Sequence, residues 1–191
     1  MSAAATTAMS DYVFAVAVPN DASQMKKLNE ACLPENYAYR FWFDLLSMNP
    51  GISFVCRSTS ERRMVGYALF GKDSKDQMRL VSVAVLPSHR RKGIAEQLIR
   101  RGLEKIRRVA CHLDVRVSND GAIRLYERLG FQKLRIFPAY YANSEDSWMM
   151  VRAVETPRSA TDVEAAGPRS ATDVEAAAED ESGPPPLLPV A

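Results

Sequence analysis

Apolar and polar positions between residues 12 and 153 follow two periods in turn, the two-residue period of strands and the 3.6-residue period of helices. The pattern predicts the order β, α, α, β, β, β, α, β, α, β, β. The predicted strands are 12–18, 52–58, 63–70, 79–86, 112–117, 131–137 and 147–153, and the predicted helices are 21–32, 39–48, 94–110 and 122–129. Strands interleaved with helices favour an α/β domain, a mixed sheet with helices on its faces.

The segment 79–110 contains the clearest candidate for a binding site. Its strand, 79–86, is apolar at almost every position, as expected of a strand covered on both faces, and Pro87 ends it. The helix that follows has one apolar side and one strongly basic side. The turn between them, 90–93, has three basic residues and a glycine, and the free N–H groups at a helix start attract phosphate. A solvated basic turn without a ligand is the alternative.

Composition narrows the class of protein. The 191 residues are 47% hydrophobic and 25% charged, which is ordinary for a globular chain. There is no run of about 20 apolar residues and no basic residue ahead of an apolar core near the start, so we expect neither a membrane span nor secretion. The cysteines, which are Cys32, Cys56 and Cys111, have no metal-ligand spacing. A cytoplasmic protein with reduced thiols and no metal fits best.

Residues 155–191 differ from the rest of the chain. The sequence PRSATDVEAA occurs at 157–166 and again at 168–177, a period of 11 residues. This segment has eight acidic and two basic side chains, so it carries −6 while residues 1–154 carry +8. Because it has few large apolar side chains, it predicts a disordered acidic tail, with a short docking helix as the alternative. The predicted organisation is therefore a flexible start at 1–10, a globular domain at 11–154 and this tail.

Three motifs resemble those of one protein family. RRKGIA at 90–95 resembles the R/Q-x-x-G-x-G/A pyrophosphate loop of the GNAT acetyltransferases, and VSNDGAIRLYERLGF at 117–131 resembles their SN-x-x-A-x-x-LY-x-x-LGF block. CLPENY at 32–37 and AYYANSED at 139–146 are similar to catalytic subunits of N-terminal acetyltransferase A and, less closely, to bacterial ribosomal-protein alanine acetyltransferases. The resemblance covers about residues 12–153 and implies the GNAT fold, a central mixed sheet of six to seven strands flanked by about four helices.

The same resemblance implies acetyl-CoA as the cosubstrate. It would lie in a gap between the strand that ends near Leu86 and the strand 112–117, with the amides of the 91–95 turn facing its pyrophosphate. Asn119 fits a hydrogen bond to the pantetheine arm, although a plain helix cap is equally plausible. The implied coenzyme-binding residues are Val83, Val85, Arg90, Arg91, Lys92, Gly93, Ile94, Ala95, Asn119 and Tyr126.

Acetyl transfer to an amine needs an unprotonated amine and a proton for the departing thiolate. Tyr126 matches the tyrosine of the LY pair and would donate that proton, with an aromatic core contact as the alternative. A peptide α-amino group has a pKa of about 7.7–8.0, against about 10.4 for lysine, so a modest base suffices at an N-terminus. Glu35 matches a family glutamate near the amine. Asp114, on the strand beside the implied active centre, is the second candidate. There the chain departs from the NatA type, which looks to carry histidine, and is similar to the bacterial alanine acetyltransferases, which carry glutamate, so the resemblance leaves both carboxylates open as the base. A structural or surface charge is the alternative for both carboxylates.

Two loops would form the wall that receives the first residues of the substrate. By resemblance, this wall consists of Leu33, Pro34, Glu35, Tyr37, Tyr140 and Tyr141. Aromatic residues at these places are equally typical of a core. The resemblance supplies a preference for small first residues, which are Ser, Ala, Thr or Gly exposed after methionine removal. His89 and His112 receive no role, since they lack partners at metal or triad spacing.

Three function hypotheses follow. The first is a protein N-terminal acetyltransferase, the catalytic subunit of a NatA-like complex, with helices 21–32 and 39–48 docked on a large helical-repeat auxiliary subunit. The second keeps the enzyme and changes the acceptor to a ribosomal-protein alanine or a lysine side chain. The third is a GNAT-fold module that contacts the ribosome through the basic side of 94–110 without turnover.

Overall fold

The computed structural model describes residues 9–73 and 77–154, and the secondary structure below refers to these residues. Seven strands are present: β1 Tyr12–Val16, β2 Phe54–Ser58, β3 Arg63–Lys72, β4 Gln77–Val85, β5 Ala110–Arg116, β6 Gln132–Phe137 and β7 Ser147–Arg152. The four α-helices are α1 Ala22–Cys32, α2 Tyr39–Met48, α3 Ile94–Lys105 and α4 Asp120–Arg128. Two short 3-10 turns, Pro19–Asp21 and Pro87–His89, precede α1 and α3.

The chain divides into two compact units, and the first one ends at Ile106. Its strands lie side by side in the order β1-β2-β3-β4, each antiparallel to the next. The helices α1 and α3 both pack on β3. A Cβ atom at Gly102 would lie only 2.2 Å from Cε2 of Phe70, so a glycine is needed for α3 to approach β3 this closely.

The core of the first unit explains why 22–32 and 39–48 are helical. Apolar residues at helical spacing place Met25 of α1 and Trp42 and Leu46 of α2 against Tyr67 and Leu69 of β3, and all five are at most 2% exposed. Burying a side chain of this size contributes about 1.5–3 kcal/mol. This packing stabilises α1, and the segment 33–37 begins where that helix ends.

The second unit begins at Arg107, and its strands lie in the order β5-β7-β6, both pairs antiparallel. The helix α4 connects β5 to β6. Asn119 caps α4, because its side-chain oxygen accepts a hydrogen bond from the N–H of Ala122 at 3.1 Å. Gly130 follows α4 with a φ of +87°, the left-handed conformation that ends a helix.

The predicted order of elements and the mixed α/β class are confirmed, with seven strands and four α-helices in the described residues. One prediction is wrong: the helix expected at 94–110 ends at Lys105. At the end of α3 the N–H of Ile106 bonds to the carbonyls of both Gly102 and Leu103. The strand β5 starts at Ala110, and the apolar residues at its start happen to continue the helical spacing, which is why the predicted helix was too long. Most of the predicted flexible start (residues 1–8) and the tail at 155–191 lie outside the described residues.

Candidate active site

A strained turn connects β4 to α3. The N–H groups of His89 and Arg90 bond to the carbonyls of Leu86 and Pro87, at 2.8 and 3.2 Å, which closes the 3-10 turn. The chain then passes through two left-handed residues, Arg91 with a φ of +62° and Gly93 with a φ of +78°. For arginine this conformation costs roughly 1–2 kcal/mol, so the turn depends on support from its surroundings.

The turn leaves the start of α3 open to an anion. Gly93 is the N-cap residue, and no side chain caps the helix. A Cβ atom at Gly93 would meet nothing within 4 Å, so glycine is required here for its φ and not for lack of space. Ile94 buries its side chain and Ala95 is half-buried, so both face an anion only through their backbone. Uncapped N–H groups with the positive end of a helix dipole are what binds a phosphate group.

Two of the three basic side chains in the turn have fixed partners. Arg90 donates from Nε to the carbonyl of Val85 at 3.0 Å, and Lys92 donates from Nζ to Oη of Tyr12 at 3.0 Å. Arg91 is exposed. Arg90 and Lys92 are exposed as well, so each has one fixed partner and stays accessible to solvent.

The end of β4 also contacts α1. Val83 and Val85 pair with Ala68 and Gly66 of β3. The carbonyl of Val85 accepts a weak hydrogen bond from the Cys32 thiol at 3.7 Å, and burial raises the pKa of that thiol. Because Cys32 is the last residue of α1, this contact brings the start of the 33–37 loop to the end of β4.

Four predicted substrate-facing residues lie in the loop after α1. Leu33 and Tyr37 are half-buried and pack against the core of the first unit, which agrees in part with the core alternative. Tyr37 stacks on Phe41 with ring centroids 4.4 Å apart. In this loop Leu33 and Tyr37 pack on the core of the first unit, Pro34 is exposed, and Glu35 is half-buried between them.

In the second unit, Asp114 and the two loop tyrosines lie together. Tyr140 donates from Oη to Oδ2 of Asp114 at 3.3 Å, and the rings of Tyr140 and Tyr141 meet edge to face with centroids 5.1 Å apart. The guanidinium of Arg116 lies 3.9 Å from the ring centre of Tyr141. Asp114 and the tyrosines of the 139–146 loop, which were singled out in separate parts of the sequence, therefore lie side by side in the structure.

Hydrogen bonds from Ser118 and Arg116 to Glu145, which the motifs did not predict, form a clamp that holds the 139–146 loop. Glu145 accepts hydrogen bonds from Oγ of Ser118 and from Nη1 of Arg116, the latter at 2.6 Å. These hydrogen bonds lower the pKa of Glu145 to about 2, and the bond from Ser118 has a larger effect than the bond from Arg116. Ser118 belongs to the SN motif and Glu145 to the SED sequence, so the clamp joins two motifs that the sequence presents separately.

Tyr126 lies on the buried side of α4 and is 7% exposed. Its ring contacts Phe131 at a centroid distance of 6.0 Å, so the aromatic contact expected as an alternative is real. Burial raises the pKa of Tyr126 to about 12. The phenol is therefore protonated at neutral pH and available as a hydrogen-bond donor. Asn119, which directly precedes the first residue of the same helix, acts as the cap described above.

Two further expectations concern absences. Among the described residues, no group of three or more His, Cys, Asp or Glu side chains is arranged to hold a metal ion. In that part of the chain no helix is both long and apolar enough to cross a membrane. All three cysteines are free thiols.

Comparison with known proteins gives a consistent result. The family described as "Acetyltransferase (GNAT) family" matches residues 20–131. An N-alpha-acetyltransferase of Saccharolobus solfataricus is 34% identical over 157 residues, which is 74% of this chain and 93% of the relative. An N-terminal acetyltransferase complex ARD1 subunit homolog of Dictyostelium discoideum is 36% identical over 138 residues, which is 69% of this chain and 68% of the relative. The crystal structure of Ard1 from Thermoplasma volcanium superimposes with a TM-score of 0.69 at 27% identity, covering 76% of this chain and 99% of that one.

Proposed function

The chain belongs to the GNAT family and is an acetyl-CoA-dependent N-alpha-acetyltransferase, and from that premise we propose that it acetylates the N-termini of nascent proteins that start with Ser, Ala, Thr or Gly. It would do so as the catalytic subunit of a NatA-like complex in the cytoplasm. The CLPENY and YYANSED motifs and the relative named as an ARD1 subunit homolog support this choice. A module without turnover is not retained, because the relatives are named as acetyltransferases.

The observation that carries the proposal is the uncapped start of α3 after Gly93. In our proposal the N–H groups of 91–95 bind the pyrophosphate of acetyl-CoA, Arg91 adds positive charge, and the backbone of Val83 and Val85 lines the pantetheine and thioester. Asn119 keeps its capping bond to Ala122 and presents its remaining polar atoms to the pantetheine arm. Recognition through backbone groups tolerates many side chains at these positions, Gly93 excepted.

The amine attacks the thioester carbonyl, the tetrahedral intermediate expels the CoA thiolate, and the nitrogen passes one proton to the base. The base releases that proton to solvent and the thiolate takes one up, so the products are the amide and the CoA thiol. We propose that the phenol of Tyr126 interacts with the sulfur atom of the departing CoA thiolate. Complete proton transfer from a phenol of pKa about 12 to a thiolate of pKa about 8.5 is uphill by roughly 5 kcal/mol, so Tyr126 stabilises the thiolate chiefly by hydrogen bonding.

The base is one of two carboxylates. We propose Glu35, acting through a water molecule, because it lies in the CLPENY motif, where the resemblance implies a glutamate near the substrate amine. Asp114 is the alternative, and Tyr140 already donates a hydrogen bond to it. A carboxylate acting through water suffices, since an α-amino group is partly unprotonated at neutral pH. Leu33, Pro34, Tyr37, Tyr140 and Tyr141 would form the wall for the first substrate residues.

Two surfaces support the proposed partners. Tyr39, Phe43 and Met48 lie on α2 and are 49%, 40% and 77% exposed, an apolar surface suited to a helical-repeat auxiliary subunit. The outer side of α3 carries exposed basic residues, among them Arg100 and Arg101, which suits a contact with ribosomal RNA.

The experiment is a comparison of kcat/KM for peptides that differ only in the first residue. We expect peptides starting with Ser, Ala, Thr or Gly to exceed those starting with Met, Asp or Glu by at least about tenfold. The same peptides with a blocked N-terminus and one lysine serve as controls. Preferential use of the blocked peptides would favour a lysine acetyltransferase. Selective use of a peptide with a ribosomal-protein alanine sequence would favour a ribosomal-protein alanine acetyltransferase.

A further inference from the structure

A buried histidine lies directly before the strained turn and has no part in the chemistry proposed above. His89 is 4% exposed and ends the 3-10 turn Pro87–His89. Its Nδ1 lies 2.9 Å from Oη of Tyr12, the first residue of β1, and the two rings meet edge to face with centroids 5.7 Å apart. The hydrogen bond joins residues 77 positions apart in the chain.

Further contacts extend this pair in both directions. Nζ of Lys92 donates to Oη of Tyr12 at 3.0 Å. On the other side, Nε2 of His89 lies 3.0 Å from Oε1 of Glu61, although the two are not aligned for a hydrogen bond. Arg63 pairs with Oε2 of Glu61 at 2.6 Å. We refer to Tyr12, Glu61, His89 and Lys92 as the His89 network.

The donors and acceptors of the His89 network are consistent with one another. Because Lys92 donates to Oη, the hydroxyl hydrogen of Tyr12 is free to point to Nδ1 of His89. Nε2 then carries the imidazole hydrogen and faces the carboxylate of Glu61. If Nδ1 of His89 carried the hydrogen instead, both Nδ1 and Nζ of Lys92 would donate to Oη of Tyr12. The hydroxyl hydrogen of Tyr12 would then have no acceptor at Nδ1.

The His89 network spans the strained turn. His89 comes immediately before Arg90, and Lys92 immediately before Gly93, and both side chains end on the same hydroxyl group of Tyr12. The left-handed residue Arg91 lies between these two attachment points. One hydroxyl on β1 therefore ties down both ends of the segment that shapes the anion-binding amides.

We propose that His89 and Tyr12 are positioning residues for the coenzyme: they hold the turn 90–93 so that its N–H groups are in place for the diphosphate of acetyl-CoA before it binds. The inference rests on the proposed coenzyme site at Gly93. It requires the network to affect recognition of the diphosphate and to leave the chemical step unchanged. Packing of a buried aromatic pair alone would have no such selectivity.

Two acetyl donors separate these roles. Acetyl-CoA has the diphosphate, and S-acetylpantetheine has the same thioester without it. In Tyr12→Phe, the ring contact with His89 is kept and only the shared hydroxyl is removed. We expect kcat/KM for acetyl-CoA to fall about five- to tenfold, mainly through KM, while kcat stays within about twofold and kcat/KM for acetylpantetheine is unchanged.

Variants of the histidine test the same point. His89→Asn can place an oxygen near the position of Nδ1 and accept from Tyr12, so it should keep more acetyl-CoA affinity than His89→Leu. Ser47→Ala, which removes an exposed hydroxyl of α2 that among the described residues bonds only the carbonyl of Phe43, is the control and should behave as wild type with both donors. Calorimetry with CoA provides the binding constant independently of turnover.

The possible outcomes are distinct. Equal losses with both donors, or no loss in Tyr12→Phe, would overturn the positioning role while the wild-type enzyme remains active. Equal behaviour of His89→Asn and His89→Leu would also count against it. Failure of the wild-type protein to bind CoA in calorimetry would instead overturn the proposed coenzyme site.

Discussion

Tyr126 and Glu35 are assigned to opposite ends of the reaction, and their surroundings differ accordingly. Tyr126 is buried beside Phe131, and burial raises the pKa of its phenol to about 12. Glu35 is half-buried in a loop. A buried neutral donor for the sulfur and a more accessible carboxylate for the amine are what acetyl transfer requires.

Removing the hydroxyl of Tyr126 should slow the chemical step. In Tyr126→Phe the contact with Phe131 is kept, so we expect kcat to fall about a hundredfold with little change in KM for acetyl-CoA. Because the phenol stays protonated up to a pH near 12, wild-type kcat/KM should rise through about pH 8, as the substrate amine loses its proton, and then stay level to about pH 10. Initial rates against pH check both points. A decline in activity that starts below pH 10 and disappears in Tyr126→Phe would contradict the assigned pKa.

The two carboxylates can be separated by amide substitutions. Glu35→Gln should lower kcat/KM about a hundredfold, because the neutral amide cannot take a proton. Asp114→Asn keeps an oxygen that can accept from Tyr140, so it isolates the loss of charge, and we expect a smaller effect. Glu104→Gln, at an exposed position of α3, is the control. A wild-type rate in Glu35→Gln, with a large loss in Asp114→Asn, would transfer the role of base to Asp114.

Candidate residues could be selected from the sequence only where a short motif contains them. Tyr126, Glu35 and the turn residues lie within such motifs, and their roles stay predictions. His89 and Tyr12 are 77 positions apart, and no local pattern connects them. The same is true of Glu145, whose partners Ser118 and Arg116 lie in another motif. Tertiary contacts of this kind become visible only in the folded chain.

At the scale of elements, the strand–turn–helix unit β4, 86–93 and α3 is central. The buried strand, Pro87 and the amphipathic pattern predicted this unit correctly, whereas the end of α3 was placed five residues too late. The error arose because Val109 and Ala110 continue the helical spacing of apolar residues, although Ala110 already belongs to β5. Periodicity cannot distinguish the last turn of a helix from the first residues of a buried strand.

Replacing Gly93 should damage coenzyme binding more than stability. Gly93→Ala places a Cβ atom at a φ of +78° with no neighbour within 4 Å, so the cost is backbone strain of about 1 kcal/mol and a methyl group beside the anion site. We expect KM for acetyl-CoA to rise about tenfold, with kcat nearly unchanged. Steady-state kinetics and thermal unfolding measure the two effects.

Gly51→Ala is a matched control for this prediction. Gly51 has a φ of +85°, again with nothing within 4 Å of its Cβ position, and it lies in the turn after α2. The two variants should lose similar stability, but only Gly93→Ala should change KM. Equal KM values for both variants and wild type would mean that the turn does not bind the coenzyme.

At the scale of the whole molecule, charge is distributed unevenly along the chain. Residues 1–154 carry +8, and 155–191 carry −6. A basic domain suits both an anionic coenzyme and a position near the ribosome. The α/β class, the order of elements and the family were predictable because periodicity and three ordered motifs agree. The preference for small first residues rests on the resemblance alone and stays a prediction.

The most direct test uses one peptide with two possible acceptors, a Ser-starting sequence with a free N-terminus and an internal lysine. After incubation with the protein and acetyl-CoA, tandem mass spectrometry locates the acetyl group. The account predicts acetylation on the α-amino group, dependent on acetyl-CoA and strongly reduced in Glu35→Gln and Tyr126→Phe. Acetylation only on the lysine, or at equal rates in wild type and both variants, would contradict it.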